Sequence, residues 1–232
     1  MATRKLLPDL CQAWESAGGT PARFESVGGI EAARRVRVGE SFDLVVLDAV
    51  AIGELAAAGH VVAKRQEAVA ASSVAIAVGR GLPRPEVDSE AAVRAAVLAA
   101  PRIAYSTGPS GTALLKLFER WGISERLHER LVQAPPGTPV AALLASGRAE
   151  LGFQQLSELR DEPGIELLGT LPAPLAIVTT FVGAVGTRSP RADAAAALLA
   201  FMTSPAAAEI KHRHGMSDVQ GREATDSFPD LA

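Results

Sequence analysis

Apolar positions in this chain alternate between helical spacing and short continuous runs, and that alternation predicts its elements. Leu7, Leu10, Cys11 and Trp14 recur at helical intervals, giving a helix over residues 4–17 closed by Gly18-Gly19. A short extended run at 22–24 and a helix at 30–38 follow. Residues 42–47, F-D-L-V-V-L, form the near-continuous apolar run of a strand buried on both faces of a parallel sheet, stopped by Asp48. A helix to Ala58, a buried strand at 74–78, and the breaker G-R-G-L-P-R-P at 79–85 come next. The alternation then repeats: helix 89–99, strand 102–105, helix 112–121, helix 140–146 with Pro139 as its first residue, strand 150–153 and strand 165–168. A long apolar run at 176–185 precedes helices opened by Ser189-Pro190 and Ser204-Pro205, and from Ser217 onward the chain is polar and aperiodic, reading as a frayed tail over 217–232. Strands alternating with helices predict an α/β fold with parallel sheets, whose ligands sit beyond the carboxyl ends of the strands.

Three polar turns lie at such strand ends. Y-S-T-G-P-S-G at 105–111 passes from a strand into an amphipathic helix marked by Leu114, Leu115, Leu117 and Phe118. N–H groups freed at a helix start, with the hydroxyls of Ser106, Thr107 and Ser110, suit an anion that needs no countercharge. The lysine of a nucleotide-binding phosphate loop is missing, because Thr112 and Ala113 follow Gly111. E-S-V-G-G at 25–29 offers a second such turn, and A-P-P-G-T-P at 134–139 a third. Gln154-Gln155 stands at another strand end, where each amide needs partners.

Composition narrows the chemistry. With 232 residues the chain holds one large domain or two lobes of about a hundred each, and 48% hydrophobic content suffices for a packed core. A net charge of −3 gives no general attraction to nucleic acid, and 4% aromatic residues supply few stacking platforms. A single cysteine, Cys11, reads as core and excludes an internal disulfide. The four histidines are scattered, so neither a metal site nor a cofactor is expected, and no apolar stretch is long enough to be embedded in a membrane. The start M-A-T-R-K lacks the apolar core of an export signal, which predicts a cytoplasmic protein if Met1 is the native start and a periplasmic one if a leader has been removed.

In order and spacing, F-E-S-V-G-G (24–29), F-D-L-V-V-L-D (42–48), S-S-V-A-I-A-V (72–78), Y-S-T-G-P-S-G, E-L-G-F-Q-Q (150–155) and S-P-A-A-A-E-I-K (204–211) resemble the type II solute-binding proteins of ABC importers, in the molybdate-binding-protein-like branch. The resemblance implies two α/β lobes, each a mostly parallel sheet flanked by helices and joined by two crossing strands: 1–78 with 182–232, and 79–181. It implies a monomer that clamps a small anion between the lobes, a molybdate-like oxyanion or a small carboxylate, and passes it to an ABC permease. Carried over residue by residue, it places Ser26 with Gly28 in one lobe, Ser106, Thr107, Ser110, Gly111, Thr138 and Val140 in the other, and Thr3 at the turn that follows the family's first strand. Gln155, beside Gln154, falls where the molybdate binders have a tyrosine. The same resemblance admits an alternative, an isomerase of small polycarboxylates like aconitate isomerase, with Glu25 as the candidate base. A Ser-His-Asp hydrolase is disfavoured, because G-P-S-G lacks the flanking pattern of a nucleophile elbow.

Overall fold

The structure, a computed structural model, describes residues 1–219. In chain order its elements are α1 (Leu6–Ser16), α2 (Gly29–Arg37), β1 (Leu44–Asp48), α3 (Ala49–Ala57), β2 (Val61–Gly79), α4 (Glu90–Ala99), β3 (Ile103–Tyr105), α5 (Pro109–Arg120), α6 (Ser124–Leu127), β4 (Leu131–Gln133), α7 (Val140–Ala145), β5 (Leu151–Gln155), α8 (Leu156–Leu159), β6 (Ile165–Thr170), β7 (Val178–Gly186), α9 (Ala192–Thr203) and α10 (Ala208–Arg213). They form two compact units, and the division falls inside β2, between Ala71 and Ser72, and inside β7, between Thr179 and Thr180. The first unit holds Thr3–Ala71 and the chain from Thr180 onward; the second holds Ser72–Thr179 with Met1–Ala2. Residues 74–78, which the sequence reading assigned to the first lobe, belong to the second, because they pair with both β5 and β6.

In the second unit the strand order is β6-β2-β5-β3-β4. β3, β4 and β5 are parallel; β2 runs against both β5 and β6, so the sheet is mixed rather than mostly parallel. Alternation along β2 sorts its two faces. Val74, Ile76 and Val78 pack with Val93 and Val97 of α4 and with Leu114 and Phe118 of α5. Ala75 and Ala77 face α7, with its Val140, Leu143 and Leu144. Small residues on that face let α7 lie close to the sheet. A Cβ at Gly152 would stand 2.7 Å from Val140 Cγ1 and 2.8 Å from Leu144 Cδ1.

In the first unit β7 lies between β1 and β2. The run at 42–47 forms β1, but it pairs antiparallel to β7 and alternates buried and half-buried positions, so the expectation of a parallel strand covered on both faces fails. Its core side meets α2 and α3 through Val36, Val45, Leu47, Ile52 and Leu55. Asp48 ends the strand as expected and caps α3, accepting from the Ala51 N–H at 3.0 Å.

Elsewhere the structure departs from the pattern for local reasons. Residues 22–24 form no strand: the Trp14 indole donates to the Thr20 carbonyl and the Ala22 N–H to Glu15, pinning the segment to the end of α1. α5 begins at Pro109, three residues earlier than expected, and Pro139 caps α7 rather than opening it. Ser217 is not frayed, since it pairs with Ala71, and Asp218 bonds Lys211; the expected tail over 220–232 lies outside the described residues.

Candidate functional site

β3 ends at Tyr105 and α5 starts at Pro109, with Gly108 at its cap position and no side chain capping it. Between them the chain turns sharply on itself. Ser106 Oγ and Ser110 Oγ lie 3.0 Å apart, and Ser110 is buried. A Cβ at Gly111 would stand 1.9 Å from the Ser106 carbonyl oxygen, so only glycine fits. The first turn of α5 contains no acidic residue, leaving the positive end of its dipole uncompensated from within the helix. Ser106, Thr107, Ser110 and Gly111 thus meet in one neutral turn rich in hydroxyls.

The third turn is already occupied. The Val140 N–H donates to Gln154 Oε1 at 2.8 Å, and Gln154 Nε2 donates to Glu158 at 2.8 Å. The helix start that sequence reading offered to a ligand is capped by the glutamine it also offered, so Val140 and Gln154 satisfy each other. The Thr138 N–H closes a local turn on the Pro135 carbonyl. Gln155 behaves differently. Successive strand residues point to opposite faces, so it turns from the α7 side to the α5 side. There its Nε2 donates to Thr179 Oγ1 at 2.6 Å. Thr179 was missed in the sequence, although V-T-T-F-V interrupts a long apolar run with two hydroxyls.

The remaining candidates lie in the first unit. Gly28 caps α2, its carbonyl accepting from Ala32, and Ser26 is half-buried beside it. Thr3 is buried, its carbonyl accepting from Leu7 where α1 begins. Glu25 is bound on both oxygens by Arg35, at 2.7 and 2.9 Å, and Arg35 also pairs with Glu40. The Arg35 hydrogen bonds hold the Glu25 carboxyl below its ordinary range. Such a carboxylate neither repels an anion as an isolated charge would nor serves well as a base at neutral pH. Arg35 is the partner that the charge pattern alone did not reveal.

A separate hollow of about 20 Å³ in the first unit is lined by Glu40, Phe42, His60, Thr187 and Arg188 among others. It has room for about one water and lies at the end of α2 away from Ser26. Among the described residues no cluster of His, Cys, Asp and Glu could hold a metal, and no helix is long and apolar enough to cross a membrane.

The family profile described as bacterial extracellular solute-binding protein matches residues 1–217. The chain belongs to this family. This solute-binding protein is 32% identical over 217 residues to an aconitate isomerase from a Pseudomonas species, covering 91% of its own length and 82% of that protein. Its fold is that of the periplasmic molybdate-binding protein of Azotobacter vinelandii, with a TM-score of 0.78 at 18% identity over 94% of this chain and 96% of that one. It likewise resembles the substrate-binding domain of a molybdenum ABC transporter protein from Clostridium difficile, with a TM-score of 0.73 at 15% identity and the same coverage. The α/β solute-binding fold expected from the sequence is therefore this chain's fold.

Proposed function

We propose that this chain binds a small polycarboxylate, with the Ser106–Gly111 turn as the seat of one carboxylate. The turn carries the reading. It is neutral, bears three hydroxyls, opens a helix, and is folded so tightly at Gly111 that nothing larger than hydrogen fits. A polycarboxylate is preferred to molybdate because the aconitate isomerase relative is 32% identical, against 18% for the molybdate-binding protein of like fold. Family membership supports a role as the receptor of an ABC importer, which hands its ligand to a membrane permease and acts outside the cytoplasm. Calorimetric titration with trans-aconitate, citrate, molybdate and sulfate tests this. One of the polycarboxylates should bind, and Ser110→Ala should weaken it by about tenfold. Absence of heat with every ligand would sink the proposal.

Catalysis is the second reading, favoured by the same relative. A 1,3-proton shift across an allylic acid needs a base that removes a proton at one carbon while another is delivered to the far carbon. Glu25 adjoins an anion turn, but its engagement by Arg35 argues against that task. If the protein interconverts cis- and trans-aconitate, followed by proton NMR, Glu25→Gln should change the rate by no more than about twofold, whereas loss of a general base typically costs about a hundredfold or more.

A further inference from the structure

Gln155 holds a polar atom that the protein leaves unsatisfied. The residue is 4% exposed; its Nε2 donates to Thr179, but its Oε1 is buried and accepts from no described group. Buried amide oxygens are rarely left so, and each instance calls for a reason.

The position of Gln155 suggests the reason. Side chains two apart on a strand share a face, so Gln155 projects to the same side as Phe153. Phe153 packs edge-on against Phe118 of α5, with ring centroids 6.3 Å apart. Val74, the cross-strand partner of Gln155, belongs to the same core as Leu114 and Phe118. Tyr105 is level with Phe153 in the parallel pair β3–β5, so the Ser106–Ser110 turn leaves the sheet at the edge where Gln155 stands. Gln155 is therefore on the face of the sheet that α5 covers and at the strand end from which the turn into α5 departs.

We propose that Gln155 determines specificity: its Oε1 accepts a hydrogen bond from a hydroxyl on the ligand, so the site prefers a small hydroxycarboxylate to an anion that carries only acceptors. This rests on the reading of the Ser106–Gly111 turn as the anion seat. There, serine and threonine hydroxyls and the helix start donate to the carboxylate. A ligand hydroxyl then supplies the donor that Gln155 lacks. A fully deprotonated oxyanion has no hydrogen to give and would set its own lone pairs against Oε1. The amide turned the other way would present Nε2–H and favour the acceptor-only ligand, so the sign of the preference also reads the orientation.

Citrate and tricarballylate differ by one hydroxyl at equal carboxylate number, and titration calorimetry with both tests the proposal. The wild type should bind citrate at least about tenfold more tightly. Gln155→Met, which keeps the volume but loses the acceptor, should bring the two within about twofold, while Ser110→Ala weakens both alike. Equal binding, or tighter binding of tricarballylate, with Ser110→Ala still weakening both, overturns the role of Gln155 and leaves the anion seat standing. Binding that is indifferent to Ser110→Ala, or absent for both, overturns the seat itself and the inference with it. Should Gln155→Met not fold, the wild-type ratio alone decides.

Discussion

Gly111 and Glu25 show how far single residues constrain this site. A methyl group at 111 would meet a backbone oxygen, not a movable side chain. Gly111→Ala should therefore destabilise the protein by about 3 kcal/mol in urea unfolding and disrupt the turn that joins Ser106 to Ser110. At Glu25 the prediction concerns pH. Its carboxyl titrates below the ordinary value of 4.5 because Arg35 stabilises the charged form. The pair is thus intact at neutral pH and is lost only as pH falls through that lowered value. Carboxyl NMR titration should give a Glu25 midpoint below 4.5, and Arg35→Gln should raise it. The hydroxyls of the Ser106–Ser110 turn were legible in the sequence, since Ser, Thr and Gly between an apolar run and a helix have few other arrangements. The pairings that spend Val140 and Gln154 on each other, and Glu25 on Arg35, were not. Hydrogen bonds across fourteen and ten residues depend on which elements pack together, and that is decided by the tertiary fold.

Elements with a strong period were read nearly in full, because one buried stripe fixes a helix whatever its surroundings. α1, α2, α4 and α7 fall close to their expected bounds. Strand direction was harder to read. An apolar run such as that of β1 looks alike in parallel and antiparallel sheets, and only the return of β7 beside it settles the matter. The early half of β2 escaped notice because K-R-Q-E at 64–67 is largely exposed and gives no alternation. The close layer of α7 on β5 makes a testable point at this scale. Gly152→Ala would push a methyl group into Val140 and Leu144, which can shift only in part, and should cost about 1–3 kcal/mol in urea unfolding.

At the scale of the whole molecule, the chain passes between its units within β2 and β7, and its described end returns to β2 through the Ser217–Ala71 bridge. Lys211 fastens that return. It is almost fully buried, and its ammonium donates to Asp218 at 2.7 Å. Asp218→Ala would strand a buried charge and should cost about 3 kcal/mol. Adding Lys211→Met should restore most of the loss in urea unfolding, since a flexible apolar chain replaces the stranded ammonium. The central claim, however, is where the ligand sits. Backbone amide chemical shifts followed during titration with trans-aconitate or citrate test it most directly. The largest changes should fall on Ser106, Thr107, Ser110 and Gly111. Changes confined to the hollow around Phe42, His60 and Arg188, or none anywhere, would contradict the account.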